Sequence, residues 1–217
     1  GSAWSAYRQF CQHFLAPLAL MARVDPRLGL LLRNHIDGVP LDLASRLLPA
    51  RSRLNLGLLF HVHMHARAQR SFLNRKRKVT PRPIKREGLM GILGHLESTI
   101  RALEWSPRGT EWADYYAITN YVDPAREDKR LMVDTWIGEL QPRQVWDVGA
   151  NDGTFSRLAC ARGIQTVAWD IDPAAVEAGY RRARMNRETH LLPALLDLTN
   201  PSPALGWALE ERSSFFE

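Results

Sequence analysis

The segment Val145-Trp146-Asp147-Val148-Gly149-Ala150-Asn151-Asp152-Gly153-Thr154-Phe155 restricts the fold more than any other part of the chain. A short apolar run stops at a glycine turn and passes directly into helix-forming residues, the pattern of a strand feeding a helix in a parallel α/β sheet. The alternation continues. Gln144–Val148 reads as a strand, Thr154–Arg162 as a helix ended by Gly163, and Gln165–Trp169 as a second strand. Asp172-Pro173 caps a helix expected to run to about Arg184, and His190–Leu196 contains a third strand. Strand, helix, strand, helix, strand with right-handed crossovers is the expected order.

A glycine turn between a strand and a helix brings backbone N–H groups and the positive helix terminus toward a ligand. Gly149 allows close approach to the backbone, and Gly153 permits a tight entry to the helix. Asp170, seventeen residues beyond Gly153 at the end of the second strand, can accept both hydroxyls of a ribose. Together these residues indicate a nucleoside-containing ligand. A dinucleotide fingerprint has a second glycine that admits the pyrophosphate, but here Ala150, Asn151 and Asp152 fill the interior positions. An acid beside a pyrophosphate is repulsive, which argues against a nicotinamide-dependent oxidoreductase.

The run Asp147-x-Gly149-x-x-x-Gly153, followed by Trp169-Asp170-Ile171-Asp172, resembles motifs one and two of class I S-adenosylmethionine-dependent methyltransferases. A third match is Leu195-Leu196-Asp197-Leu198. The resemblance implies that Gly149, Asn151 and Gly153 hold the methionine part of the cofactor and that Asp170 holds its ribose. It also implies that Asp197 faces the adenine amino group, with Ile171 and the Leu198 backbone lining the adenine pocket. Asp147 belongs to the motif, but its role can equally be to hold the loop in shape. Asp172 reads as the cap of the following helix, because Pro173 comes next. Asp197 to Trp207, with Tyr115-Tyr116 and Thr119-Asn120-Tyr121, resembles a bacterial methyltransferase-like group that includes nodulation-related proteins.

The expected fold class is α/β: an N-terminal all-helical module (1–80), a helical linker or cap region (81–141), and the first half of a Rossmann-like class I methyltransferase domain (142–217). In the module, Tyr7, Phe10, Cys11, Phe14 and Leu15 recur three and four apart and should share a buried face. A short helix starts at Asp25-Pro26, another spans Leu41–Leu48, and a longer one spans Leu54–Phe72. Next, Leu89, Ile92, Leu93, Leu96, Ile100 and Leu103 form a stripe, and Gly88, Gly91 and Gly94 point to close packing against another backbone. Asp123-Pro124 opens a further helix carrying Leu131, Val133, Trp136, Ile137 and Leu140. His61 and His65 share a helical face while His63 points away, a spacing that favours packing or polar capping over a metal site. Tyr115, Tyr116 and Tyr121 form either a lid over the cofactor or ordinary core.

The net charge of +6 is concentrated between Arg67 and Arg86. That run could bind nucleic acid or another anionic partner, the rival reading for this protein, but its Pro81 and Pro83 favour a solvated linker between helices. Only 2 cysteines, far apart, fit a reducing cytoplasm. No apolar run reaches the roughly 20 residues of a membrane span. Gly1-Ser2 reads as an expression scar. After the third strand only a polar, helical-looking tail remains to Glu217, so the chain is expected to be truncated before the strand that normally carries the catalytic residue. Cofactor binding without catalysis is then expected, and the methyl acceptor is left open. The unpaired edge of Val145–Val148 invites self-association.

Overall fold

The computed structural model describes residues 6–68, 85–107 and 123–217. The chain divides into two units: Gly1–Trp105 together with Ser202–Glu217, and Ser106–Pro201. Among the described residues, no helix is long and apolar enough to cross a membrane.

The first unit is helical: α1 (Ala6–Phe10), α2 (Ala16–Arg23), α3 (Leu31–Asn34), α4 (Leu41–Leu47), α5 (Leu56–Leu58) and α6 (Arg86–Arg101). The start at Asp25-Pro26 is that of the sequence pattern. Asp25 caps a tight helical turn, Pro26–Leu30, by accepting from the Arg27 backbone N–H at 2.9 Å. Asn55 does the same for α5 through the Leu58 N–H. The core comprises Cys11, Leu15, Leu20, Val39, Leu41, Leu58, Val62 and Leu96 with small alanines between them.

Two segments of the first unit are wider than α geometry. Cys11–Leu15 and Leu59–Met64 are π-helical, the first between α1 and α2 and the second following α5. A π turn closes from i to i+5 and is wider than an α turn. The residue three places after Cys11 therefore rotates off the buried face. Phe14, expected in the core, is 47% exposed, while Leu15 stays fully buried. The expected long helix over Leu54–Phe72 starts two residues late, after a tight turn at Ala50–Leu54, and over the described residues 56–68 it is continuous, with the second π segment inside it.

The glycine expectation for α6 is corrected at two of its three positions, Gly91 and Gly94. A Cβ at Gly91 or Gly94 would meet nothing within 4 Å among the described residues. The close approach is at Gly57, where a Cβ would lie 2.0 Å from Thr99 Oγ1, so α5 rests directly on α6. Leu93 is exposed because it stands one residue off the stripe that Ile92, Leu96 and Ile100 turn to the core. The tail is not helical. Its short turn Trp207–Leu209 is flanked by an antiparallel bridge between Leu205 and Arg212, and Gly206 sits at φ +88. Pro201 and Pro203 precede it and oppose helix formation.

The second unit is α/β. Parallel strands β1 (Gln144–Val148), β2 (Gln165–Asp170) and β3 (Leu191–Leu195) lie in the order β1-β2-β3, with Trp146 opposite Val167 and Thr166 opposite Leu191. Helices α8 (Ser156–Cys160) and α9 (Pro173–Met185) supply the crossovers and pack on the sheet. They cover the face bearing Thr166, Ala168 and Leu191, all buried. Trp146, Val148 and Leu192 on the other face are 52%, 56% and 57% exposed. Helix α7 (Asp123–Leu140) packs against α8, where Arg162 pairs with Asp134. Of the apolar residues expected to line that helix, Ile137 is buried, while Leu131, Trp136 and Leu140 are exposed.

Candidate functional site

In an open parallel sheet, ligands bind outside the carboxyl ends of the strands. In sequence, Gly149, Asn151 and Gly153 follow β1, Ile171 follows β2, and Asp197 and Leu198 follow β3, while Asp147 and Asp170 are the last acids within β1 and β2. The turn after β1 needs left-handed backbone at three of five positions: Gly149 at φ +75, Asn151 at +52 and Gly153 at +77. Glycine takes this conformation freely, and asparagine is among the side chains that tolerate it best.

Hydrogen bonds bind the loop to itself and to β2. The Gly149 and Ala150 N–H groups both donate to Trp169 O at 2.9 Å. Asn151 N–H donates to Asp170 Oδ2 at 2.7 Å, and Asp152 N–H to Asn151 Oδ1 at 2.9 Å. Gly153 N–H donates to Ala150 O at 2.9 Å, and Thr154 N–H to Asp152 Oδ1 at 3.1 Å. Every N–H from 149 to 154 therefore has a partner within the protein. This corrects the expectation that these groups turn toward a ligand. The helix that follows is also too short to serve as an anion site, starting at Ser156 and running 5 residues.

The acids divide by what they hold. Asp170 braces the site: Oδ2 accepts from Asn151 and Oδ1 from the Asp172 N–H at 2.8 Å. Asp147 accepts from the Ser156 hydroxyl at 2.6 Å, tying β1 to the start of α8. Asp172 is buried and accepts from the Ala174 N–H at 2.8 Å, the N-cap of α9. Asp197 closes its own turn by accepting from the Thr199 N–H and hydroxyl at 2.9 and 2.6 Å. Asp152 turns to α9, where Arg182 lies 3.3 Å from its Oδ2. Ile171 and Leu198 are exposed apolar side chains beside Asp170 and Asp197.

What this arrangement offers a ligand is carboxylate and carbonyl oxygens with apolar side chains between them. Among the described residues, Arg157 is committed to Glu188, Arg182 to Asp152, and Lys129 lies over the Phe155 ring. Such a site suits hydroxyl, amino and ammonium groups, and it is poorly suited to phosphate. Sequence reasoning missed Arg157, Ser156, Gly179 and Glu188. The one available signal was Gly179, a glycine amid good helix formers, where a Cβ would come 3.0 Å from Asp152 O.

His61, His63 and His65 lie in the helical unit. His61 joins Tyr7 and, at 2.8 Å, His95. Both ring nitrogens of His63 meet serine hydroxyls, Ser45 and Ser52, at 2.8 Å. Among the described residues no cluster of His, Cys, Asp or Glu is arranged to hold a metal ion. The central part of the basic run, 69–84, and Tyr115, Tyr116 and Tyr121 lie outside the described residues.

No protein-family model matches the chain. It is similar to the nodulation protein NoeA of Rhizobium meliloti (strain 1021), 30% identical over 221 residues. The match takes in 99% of this chain and 46% of NoeA, so the chain spans about half the length of the curated relative it matches.

Proposed function

We propose that the chain binds S-adenosylmethionine at the carboxyl ends of β1, β2 and β3, as the cofactor-binding part of a methyltransferase. The observation that carries this reading is the satisfied loop. With the N–H groups from 149 to 154 all partnered inside the protein, the site has no cradle for a pyrophosphate. Its acceptors match a ligand that presents ribose hydroxyls, an adenine amino group and an ammonium. The order of the three motif matches on three parallel strand ends supports the same reading.

Bound there, the cofactor supplies a methyl group on a sulfonium for in-line transfer to a nucleophilic acceptor. The residues of this chain bind and orient. Each oxygen of Asp170 already accepts one backbone N–H, which fixes the carboxylate, and each keeps a second acceptor site for a ribose hydroxyl. Asp197, fixed by Thr199, is assigned to the adenine amino group, with Ile171 and Leu198 against the ring. Asp147 acts through Ser156 to set the junction of β1 and α8. The left-handed turn 149–153 is assigned to the ammonium of the methionine end.

Isothermal titration with S-adenosylhomocysteine, using a nicotinamide dinucleotide as comparison, tests the reading. Saturable binding of the first and none of the second is expected. Preference for the dinucleotide, or no binding of either, refutes it.

A further inference from the structure

Arg157, which the motifs do not include, connects three other segments of the unit. Its side chain is 14% exposed, and Nε donates to both Glu188 oxygens at 3.0 and 3.1 Å. Nη1 donates to Asp152 O at 2.7 Å, and Nη2 to Gly179 O at 3.2 Å. One guanidinium thus joins α8, the glycine loop, α9 and the segment before β3. The backbone makes room for it. A Cβ at Gly153 would lie 3.2 Å from Nη1, and one at Gly179 would lie 3.0 Å from the same Asp152 O that Arg157 holds.

We propose that Arg157 is a positioning residue for the ligand loop. It acts through Asp152, whose carbonyl it fixes, on the neighbouring Asn151, whose N–H meets Asp170 Oδ2 at 2.7 Å. Release of that carbonyl lets the Asp152–Gly153 peptide turn and draws Asn151 off the carboxylate. Arg182 is no substitute, since it reaches only the Asp152 side chain and is half exposed. Glu188 sits beside the guanidinium and balances its charge, so Arg157 contributes directed hydrogen bonds rather than a cationic site. Lysine would keep the charge but lose the fork that holds three acceptors at once. The consequence for binding rests on the cofactor reading above; the consequence for the loop does not.

The test compares the 217-residue chain with Arg157→Lys and Gly179→Ala, by titration with S-adenosylhomocysteine and by residue-resolved amide hydrogen exchange. Arg157→Lys is expected to weaken binding by about tenfold or more, the scale of a lost charge-assisted hydrogen bond. Amides 151–154 should exchange correspondingly faster, with those of β2 unchanged. Gly179→Ala presses on the same carbonyl while favouring the helix, so it should weaken binding without lowering the melting temperature. A merely structural role would not separate the two. Unchanged binding and exchange in both variants, or protection lost evenly across the sheet, overturns the proposal. If the parent chain does not bind, the cofactor reading falls and exchange alone decides the role of Arg157. If Arg157→Lys does not fold, Gly179→Ala decides it.

Discussion

Lowering the pH should loosen the helical unit at His61. The residue is 4% exposed, hydrogen-bonded to Tyr7 on one side and to His95 on the other. Burial first, then the neighbouring His95 and His65, push its pKa down from 6.5 to about 4. The folded state therefore resists a proton that the unfolded state takes up. The stability this provides is complete above pH 6.5 and is lost as pH falls from there through about 4. At about 1.4 kcal/mol per pH unit, the gap between the two values amounts to about 3 kcal/mol. His63 and His65 are also lowered by burial and add to the loss in the same direction. The contribution of His61 is isolated as the difference between the parent chain and His61→Gln. Urea unfolding followed by circular dichroism at stepped pH measures it, with the two units fitted as two transitions. Below pH 6.5 the parent should lose stability more steeply than the variant by about 1 kcal/mol per pH unit. Parallel slopes would refute the assignment of a neutral, buried His61.

Gly57→Ala places a methyl 2.0 Å from Thr99 Oγ1 and 2.5 Å from its Cγ2, so α5 and α6 must part, at about 1–3 kcal/mol or more in chemical unfolding. Thr99→Ala should recover part of that loss, and additive effects in the double-mutant cycle would contradict the contact. Asp172→Ala removes the cap of α9 and should cost about 1 kcal/mol; Asp172→Asn, which can still accept from the Ala174 N–H, should cost less.

The second unit was legible in some detail. The strands fall within one residue of the alternating and apolar runs, because Gly, Pro and Asp mark each turn: Gly149 and Gly163 at φ +75, and Asp172-Pro173 at the start of α9. The helical unit was legible in the Asp25 cap and in part of its core, Cys11, Leu15 and Leu96. It failed where local geometry changed. A π turn leaves no mark in the apolar spacing, so Phe14 was placed inside, and the second π segment was read as ordinary helix. The glycines of α6 illustrate a different limit: glycine content reports freedom to approach, while the actual approach depends on the partner, which is Thr99 at Gly57.

At the candidate site, the sequence pointed to the strand ends and to the acids beside them, but hydrogen-bond direction cannot be read from spacing. The loop N–H groups turn inward because Trp169 O, Ala150 O, Asp170 and the loop's own side chains accept them. Asp152 was weighed as an acid facing a ligand, yet it faces Arg182 and Thr154. Arg157 and Glu188 are 31 residues apart, and no motif connects them.

The most direct test of the account is a titration of the isotope-labelled chain with S-adenosylhomocysteine, followed by amide chemical shifts. Saturable shifts gathered at 149–153, 170–171 and 197–198 are the predicted result, and they should disappear in Asp170→Ala. Shifts centred in the helical unit, or unaltered in Asp170→Ala, would contradict it.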